Sequence, residues 1–260
     1  MRITILGSGS SGGIPVPGYG WGKCDPDNPK NYRLRPSILV QQGKTQVLID
    51  TSPDLREQLL TADVKYLDGV IYTHTHADHL HGIDDIRGLN RAMNGPIEAY
   101  GMAESLKDIE TRFGYVLQPL PETARKYFKP TLNGNCVRLG DDILIGNLTF
   151  QTFDQDHGFS RTMGLRVGEI AYSTDVVNMP EESFKVIEGV DTWIIGVFTD
   201  SEHTTHVHVE KALGWIERIK PRRAILTHLG PSLDYQQLSN QLPDHVEAAY
   251  DGLVIEMEEG

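Results

Sequence analysis

Apolar residues come along this chain mostly in short bursts. Residues 2–6, 37–40, 46–50, 69–72 and 97–100 are runs of four or five, rich in aliphatic side chains and bounded by Gly, Pro, Asn or Asp, and they read as strands. A second series follows at 142–145, 148–153, 162–167 and 170–173, with turns at Asn147 and Gly168, and then at 192–197, 224–227 and 253–257. The pair 37–40 and 46–50 reads as a hairpin turning at Gln42-Gly43-Lys44. Between these bursts the spacing becomes helical. Leu106, Ile109, Phe113 and Val116 mark a helix over 102–116, and Val209, Leu213, Trp215, Ile216 and Ile219 mark one over 207–219. Shorter helices are expected from Thr51 or Ser52, with Pro53 in the first turn, to Leu60, and over 80–93 and 235–242. Strand clusters with helices between them in both halves predict two sheets face to face with helices outside. The expected class is α/β (α+β), a four-layer αββα sandwich, as one domain over 1–260.

Three stretches fall outside this rhythm. Gly7-Ser8-Gly9-Ser10-Ser11-Gly12-Gly13 follows the first strand and formally contains G-x-G-x-x-G. The dinucleotide reading fails, because Ile14-Pro15-Val16-Pro17-Gly18 follows where a helix must open. The alternatives are a plain turn, or a backbone passing close to a site and offering N–H groups to an anion, with Ser10 a candidate substrate contact. Residues 14–36 form a long Gly- and Pro-rich loop anchored by Tyr19, Trp21 and Tyr32. Its Arg33 and Arg35 could reach a phosphate, though a solvated surface pair is the more ordinary reading. Residues 118–136 read as an irregular insertion, a candidate wall of the active site or a subunit contact that leaves a homodimer open.

The densest chemistry lies in Thr73-His74-Thr75-His76-Ala77-Asp78-His79-Leu80, where a strand ends and a helix begins. Four of the ten histidines fall between 74 and 81, which argues against a chance surface turn. His74 and His76, two apart at a strand end, can point the same way. Asp78 and His79 can turn back toward them. Neutral imidazoles and a carboxylate converging at one point suit one or two first-row divalent metals.

The totals narrow the field. With 24 basic and 36 acidic side chains the net charge is −12, which argues against a broad nucleic-acid surface but not against a small phosphate at a local positive site. Cys24 and Cys136 are the only cysteines, expected as free thiols in a reducing compartment rather than as one disulfide. No stretch has signal-peptide character or membrane-spanning length, so the expected location is cytoplasmic with no membrane partner.

The order H-x-H-x-D-H resembles the signature of the metallo-β-lactamase superfamily. That family takes further ligands from later strand ends, and the sequence offers them in order: His157 in Asp154-Gln155-Asp156-His157-Gly158, Asp175 in Tyr172-Ser173-Thr174-Asp175, and His228 in Leu226-Thr227-His228-Leu229. The resemblance implies a hydrolase with His74, His76 and His157 on one metal, Asp78, His79 and His228 on the other, and Asp175 bridging. With the Gly/Ser loop and the Asp-His helix, the pattern is most similar to the phosphoribosyl 1,2-cyclic phosphate phosphodiesterase group. In that branch a histidine before a helix faces the site without holding metal; His206 matches it and is expected to bind a phosphoryl oxygen and protonate the leaving alkoxide. His203 is a further candidate substrate contact, and Asp78 a candidate catalytic carboxylate. Some members of the group hold a structural zinc with a cysteine cluster in the first long loop; only Cys24 is present here, so no such site is expected.

The implied cofactors are two divalent ions, Zn2+ or Mn2+, and the implied reaction is hydrolysis of a small cyclic or nucleotide-like phosphodiester by a metal-bridged hydroxide. Alternatives within the superfamily are a tRNA 3′-end endonuclease, which the acidic charge disfavours, and a thioester or lactone hydrolase. A non-catalytic metal- or nucleotide-binding module is the alternative from another class.

Overall fold

The computed structural model describes residues 1–257. In chain order the strands are β1 (Arg2–Gly7), β2 (Ser37–Gln42), β3 (Thr45–Ile49), β4 (Gly69–Ile71), β5 (Ile97–Met102), β6 (Leu132–Val137), β7 (Asp142–Ile145), β8 (Leu148–Asp156), β9 (Arg161–Val167), β10 (Ile170–Ser173), β11 (Thr192–Gly196), β12 (Arg223–Thr227), β13 (Val246–Ala248) and β14 (Val254–Glu256). The helices are α1 (Leu55–Thr61), α2 (Ala77–Leu80), α3 (Ile86–Met93), α4 (Ala103–Phe113), α5 (Glu181–Val186), α6 (Val209–Ile219) and α7 (Tyr235–Ser239). One seven-stranded sheet runs β14-β1-β2-β3-β4-β5-β6 and the other β13-β12-β11-β10-β9-β8-β7. Both are mixed. Strands β3 to β6 and β10 to β13 are parallel, while the hairpin-linked strands are antiparallel.

Period-two alternation builds the layers. Ile3, Ile5, Val47 and Ile49 of the first sheet meet Phe150, Leu165, Ile194 and Ile225 of the second in a buried layer between the sheets. Leu48 and Val70 point the other way, onto Leu55 and Leu59 of α1 and Leu89 of α3. Trp193 and Ile195 do the same in the second sheet, beneath Phe184 of α5 and Ala212 and Ile216 of α6. The Trp193 indole is fully buried, and its N–H donates to Ser173 Oγ at 3.0 Å. The expected αββα sandwich is the observed architecture. Among the described residues no helix is long and apolar enough to cross a membrane.

Three local readings change. The helix expected over 80–93 is broken into α2, a 3-10 turn at Ile83–Asp85 and α3. Gly82 explains the break: a Cβ there would lie 1.9 Å from Ser52 O, so only glycine lets the chain after β3 lie against the end of α2. The stretch 118–136 is not irregular throughout, because Leu132–Val137 forms the edge strand β6. Its Asn-Gly-Asn centre hides the strand pattern; Asn133 and Asn135 instead donate to the Glu98 carboxylate on β5. The preceding turn folds back through Arg91 and Lys129, and the two cavities that border His76 are lined by other described residues.

Arg33 and Arg35 are not a solvated pair. Arg35 is bidentate to Asp54 at 2.8 and 2.5 Å. Arg33 is 1% exposed and donates to Asn31 Oδ1 at 3.1 Å and Leu233 O at 2.9 Å. Cys24 is a buried free thiol beside that guanidinium, and Cys136 an exposed one. Arg33 therefore ties the long first loop to residues 231–234, just after β12. Replacing Arg33 with Ala leaves Leu233 O, in a buried place, with only the weak Cys24 thiol donor, and Asn31 Oδ1 with only the Tyr235 N–H. It is expected to lower stability by about 2–4 kcal/mol. Urea unfolding monitored by tryptophan fluorescence checks this; an unchanged midpoint would mean the tie carries no weight.

Candidate metal centre

The histidine-rich segment leaves the end of β4 and enters α2. His74 is 4% exposed and Asp78 5%, His79 is fully buried, and His76 faces outward. The second sheet brings His157 from the end of β8, Asp175 from just beyond β10 and His228 from just beyond β12. All seven side chains meet at one edge of the stacked sheets. Their potential ligand atoms form two quartets, His74–His76–His157–Asp175 and Asp78–His79–Asp175–His228, each within 4.8 Å.

The sharing of Asp175 is specific to its atoms. Its Oδ2 lies 3.6 Å from His74 Nε2 and 3.4 Å from His157 Nε2, while its Oδ1 lies 3.1 Å from both His79 Nε2 and His228 Nε2. Asp78 Oδ2 approaches His79 and His228 at 3.3 and 3.4 Å. On the open side His76 Nδ1 lies 3.3 Å from His157 Nε2.

The ring orientations are set from behind. Asp50, at the end of β3, accepts from the Thr73 N–H at 2.8 Å, from the Thr73 hydroxyl at 2.7 Å, and from His79 Nδ1 at 2.6 Å. Thr73 Oγ1 in turn lies 3.1 Å from His74 Nδ1. His157 Nδ1 donates to Thr205 O at 2.7 Å. Occupying Nδ1 in this way leaves Nε2 as the ligand atom, the arrangement that metal-ligating histidines favour. Asp50, Asp175 and His228 all have left-handed backbone, with φ of 64°, 50° and 57°. For a non-glycine residue this costs on the order of 1 kcal/mol or more and gathers at functional sites.

The electrostatics fit a cation. Burial opposes the charge on Asp175, but His228 and His79 outweigh it and hold its carboxyl well below the usual range. Burial also opposes a proton on His79, and Asp175, Asp78 and Asp50 raise it well above the ordinary histidine range. Burial and the neighbouring His79 push His74 well down. His74 Nε2 and His79 Nε2 are buried without a hydrogen-bond partner. Five imidazoles and two carboxylates, two of whose inward-facing nitrogens have no hydrogen-bond partner, are a donor set for first-row divalent ions.

A cavity of about 370 Å3 lies over the ligands, lined by Ser11, His76, Asp78, His157, Phe159, Ser160, Asp175, Thr205 and His206. His206 belongs to neither quartet. Its ring stacks on His228 at 5.1 Å and meets His157 edge-on at 4.8 Å. Burial, against the opposing pull of Asp175, lowers its pKa to about 3. The other substrate candidates fall outside. Ser10 is 2% exposed and its N–H goes to Leu229 O, so that Ser11 rather than Ser10 reaches the cavity. His203 is exposed and stands behind His206, 5.4 Å away between ring centroids, against Phe198.

Two face-to-face sheets with this His/Asp cluster at one edge define a metal-dependent hydrolase. The sequence profile of the beta-lactamase superfamily domain matches residues 45–229, and the chain belongs to that superfamily, with the metallo-β-lactamase fold. A diphosphatase of the PhnP family superposes with a TM-score of 0.88 at 31% identity over 99% of this chain and 98% of its own. Zn2+-bound PqqB from Methylobacterium extorquens shares the fold, with a TM-score of 0.77 at 18% identity over 99% of this chain and all of its own. A protein named octanoyltransferase from Porphyromonas gingivalis (strain ATCC BAA-308 / W83) is 32% identical over 97% of this chain and 51% of its own. The chain thus spans about half the length of that curated relative.

Asp50 did not stand out in the sequence; an Asp closing a strand directly before the metal-bearing strand was the available signal. Asp50→Asn keeps the size but cannot accept from both Thr73 and His79 as a carboxylate does. It is expected to leave the fold intact and weaken metal affinity about 10–100-fold. Chelator competition measures this, and unchanged affinity would show that His79 needs no orienting partner.

Proposed function

We propose that the protein is a dinuclear phosphodiesterase acting on a small cyclic or nucleotide-like phosphodiester. The observation that carries this reading is the orientation of Asp175, with one carboxylate oxygen turned to each group of histidines. Bound there, two divalent ions (Zn2+ or Mn2+) would supply Lewis acidity toward a phosphoryl oxygen and an activated water. Within the ligand set the neutral imidazoles add no charge and only Asp78 and Asp175 subtract any, so two divalent ions would leave that set itself with a positive balance. That favours an anionic phosphodiester over a neutral ester. The 31% identical neighbour of the PhnP family, a diphosphatase, supports a phosphate-directed site.

The chain's own residues carry the rest. Asp78 holds its carboxylate beside His79 and His228, at the floor of the cavity. His206 presents its ring to the cavity between His157 and His228, within reach of a phosphoryl oxygen. Burial holds its proton affinity low, and an adjacent phosphodiester anion would raise it, as protonation of a leaving alkoxide requires. The overall charge of −12 counts against a tRNA substrate.

The second reading is hydrolysis of an acyl thioester or lactone at the same centre; a relative of which this chain matches about half is named for an acyl group, octanoyl. Metal-loaded protein assayed against cyclic phosphates, nucleotide diesters, acyl thioesters and lactones separates the two. Turnover confined to thioesters or lactones would overturn the phosphodiesterase reading.

Two variants test the roles. Asp175→Ala is expected to bring the metal content of purified protein down from two ions per chain, loosening both together; two tightly held ions by elemental analysis would refute the bridge. His206→Ala is expected to keep both ions and to lower turnover of an alkyl or ribosyl phosphodiester by about 10²–10⁴-fold. A p-nitrophenyl diester, whose leaving group needs little protonation, is expected to lose much less. Equal losses on both substrates would reduce His206 to phosphate binding.

A further inference from the structure

The loop between β8 and β9 carries a feature that the metal centre does not use. His157 donates its N–H to Ser160 O and Phe159 donates to His157 O, both at 3.0 Å, and Gly158 N–H reaches Asp156 Oδ1 at 2.9 Å. At the tip of this tight loop the Phe159 side chain stands 94% exposed. A single exposed aromatic is ordinary on a protein surface. What distinguishes this one is its place on the rim shared by two cavities. One is the cavity over the metal ligands. The other is a groove of about 600 Å3 that leads away from His74 and His76, past Thr75, Met102 and Ser105, to Asp108 and Arg112 of α4. His76, Phe159 and Ser160 border both.

A phosphodiester with its phosphorus over the ligands therefore places one substituent beside Phe159 and into the groove. The groove's charges say what kind of substituent. Arg161 is paired with Asp154, and Arg112 donates to Thr75 O beside Asp108. Both cations thus have partners, and the groove makes no demand for a second phosphate. Asp108 Oδ2 already accepts from the Thr75 hydroxyl at 2.8 Å, so on this wall the Glu104 carboxylate and the second oxygen of Asp108 are offered to hydroxyl and amino donors. A planar ring carrying such donors matches this wall, and every nucleobase has a face that stacks on an aromatic side chain.

We propose that Phe159 is the stacking platform for a nucleoside substituent, and that the groove between the β8–β9 loop and α4 makes the substrate a nucleoside phosphodiester. This rests on the phosphodiesterase reading above and names the substrate class within it.

The test compares two diesters with the same leaving group, thymidine 5′-(p-nitrophenyl phosphate) and methyl p-nitrophenyl phosphate, on metal-loaded wild type, Phe159→Ala and Phe159→Trp. In Phe159→Ala the KM for the thymidine diester is expected to rise about 5- to 150-fold, the usual range for loss of one base–aromatic stack. The methyl diester is expected to change less than about twofold on the same reasoning, and Phe159→Trp to restore the thymidine KM. Metal content is expected to stay at the wild-type value, which separates stacking from a displaced His157. Equal changes on both diesters would place the nitrophenyl ring, not the nucleoside, on Phe159 and overturn the proposal. An unchanged thymidine KM would overturn it while leaving the phosphodiesterase reading intact. If wild type cleaves neither diester, both fall. A Phe159→Ala protein that sediments as a smaller species than wild type would make the ring a subunit contact and overturn the platform.

Discussion

The site depends on a carboxylate buried where it could not stand alone. Asp175 is 2% exposed, and an isolated ion at such a position is strongly disfavoured by desolvation. What holds it there is a cage of four imidazoles, His74 and His157 on one oxygen and His79 and His228 on the other. The imidazoles cannot all be charged at once, because His74 and His79 oppose each other's protonation across a ring-centroid distance of 4.2 Å. A divalent cation held between the rings would resolve both conflicts. It would neutralise carboxylate charge and use the His74 and His79 Nε2 positions that are otherwise buried without a hydrogen-bond partner.

The fold delivers these groups through strand ends. The first sheet supplies the segment after β4, with β3 contributing Asp50 behind it; the second supplies His157, Asp175 and His228 from the ends of β8, β10 and β12. Because the sheets pack through aliphatic side chains from Ile3 to Ile255, their ligand-bearing edges are held in fixed register. The strain follows the same division. Among the non-glycine residues with left-handed backbone, Asp63, Asn94 and Lys220 end helices, while Asp50, Asp175 and His228 end strands at the metal centre. At the metal centre this costly backbone falls where Asp175 and His228, and Asp50 behind them, turn toward the shared edge.

Much of this was legible in the residues. Short aliphatic bursts and helical spacing pointed to the layered sandwich, and H-x-H-x-D-H announced a metal site by its density. His157, Asp175 and His228 were legible only by resemblance, since a lone His or Asp after a strand is ordinary. Asp50 was hidden because its work is to orient His79 and Thr73 rather than to face the cavity. Arg33 misled because a charged side chain in a Pro-rich loop is normally solvated, and only the approach of residues 231–234 buries it. Strand β6 escaped notice because its pairing with β5 relies on backbone and on Asn–Glu contacts instead of apolar alternation. Phe159 carried no sequence signal, since only the fold shows that it borders both cavities.

Asp175, with one oxygen turned to each group of histidines, is proposed to join two cations into one centre. Electron paramagnetic resonance of the protein loaded with Mn2+ tests it directly. Ions sharing a carboxylate at about 3.5–4 Å are magnetically coupled. The account predicts a coupled spectrum that appears as loading approaches two ions per chain. A signal from isolated Mn2+ that saturates at one ion per chain would contradict it.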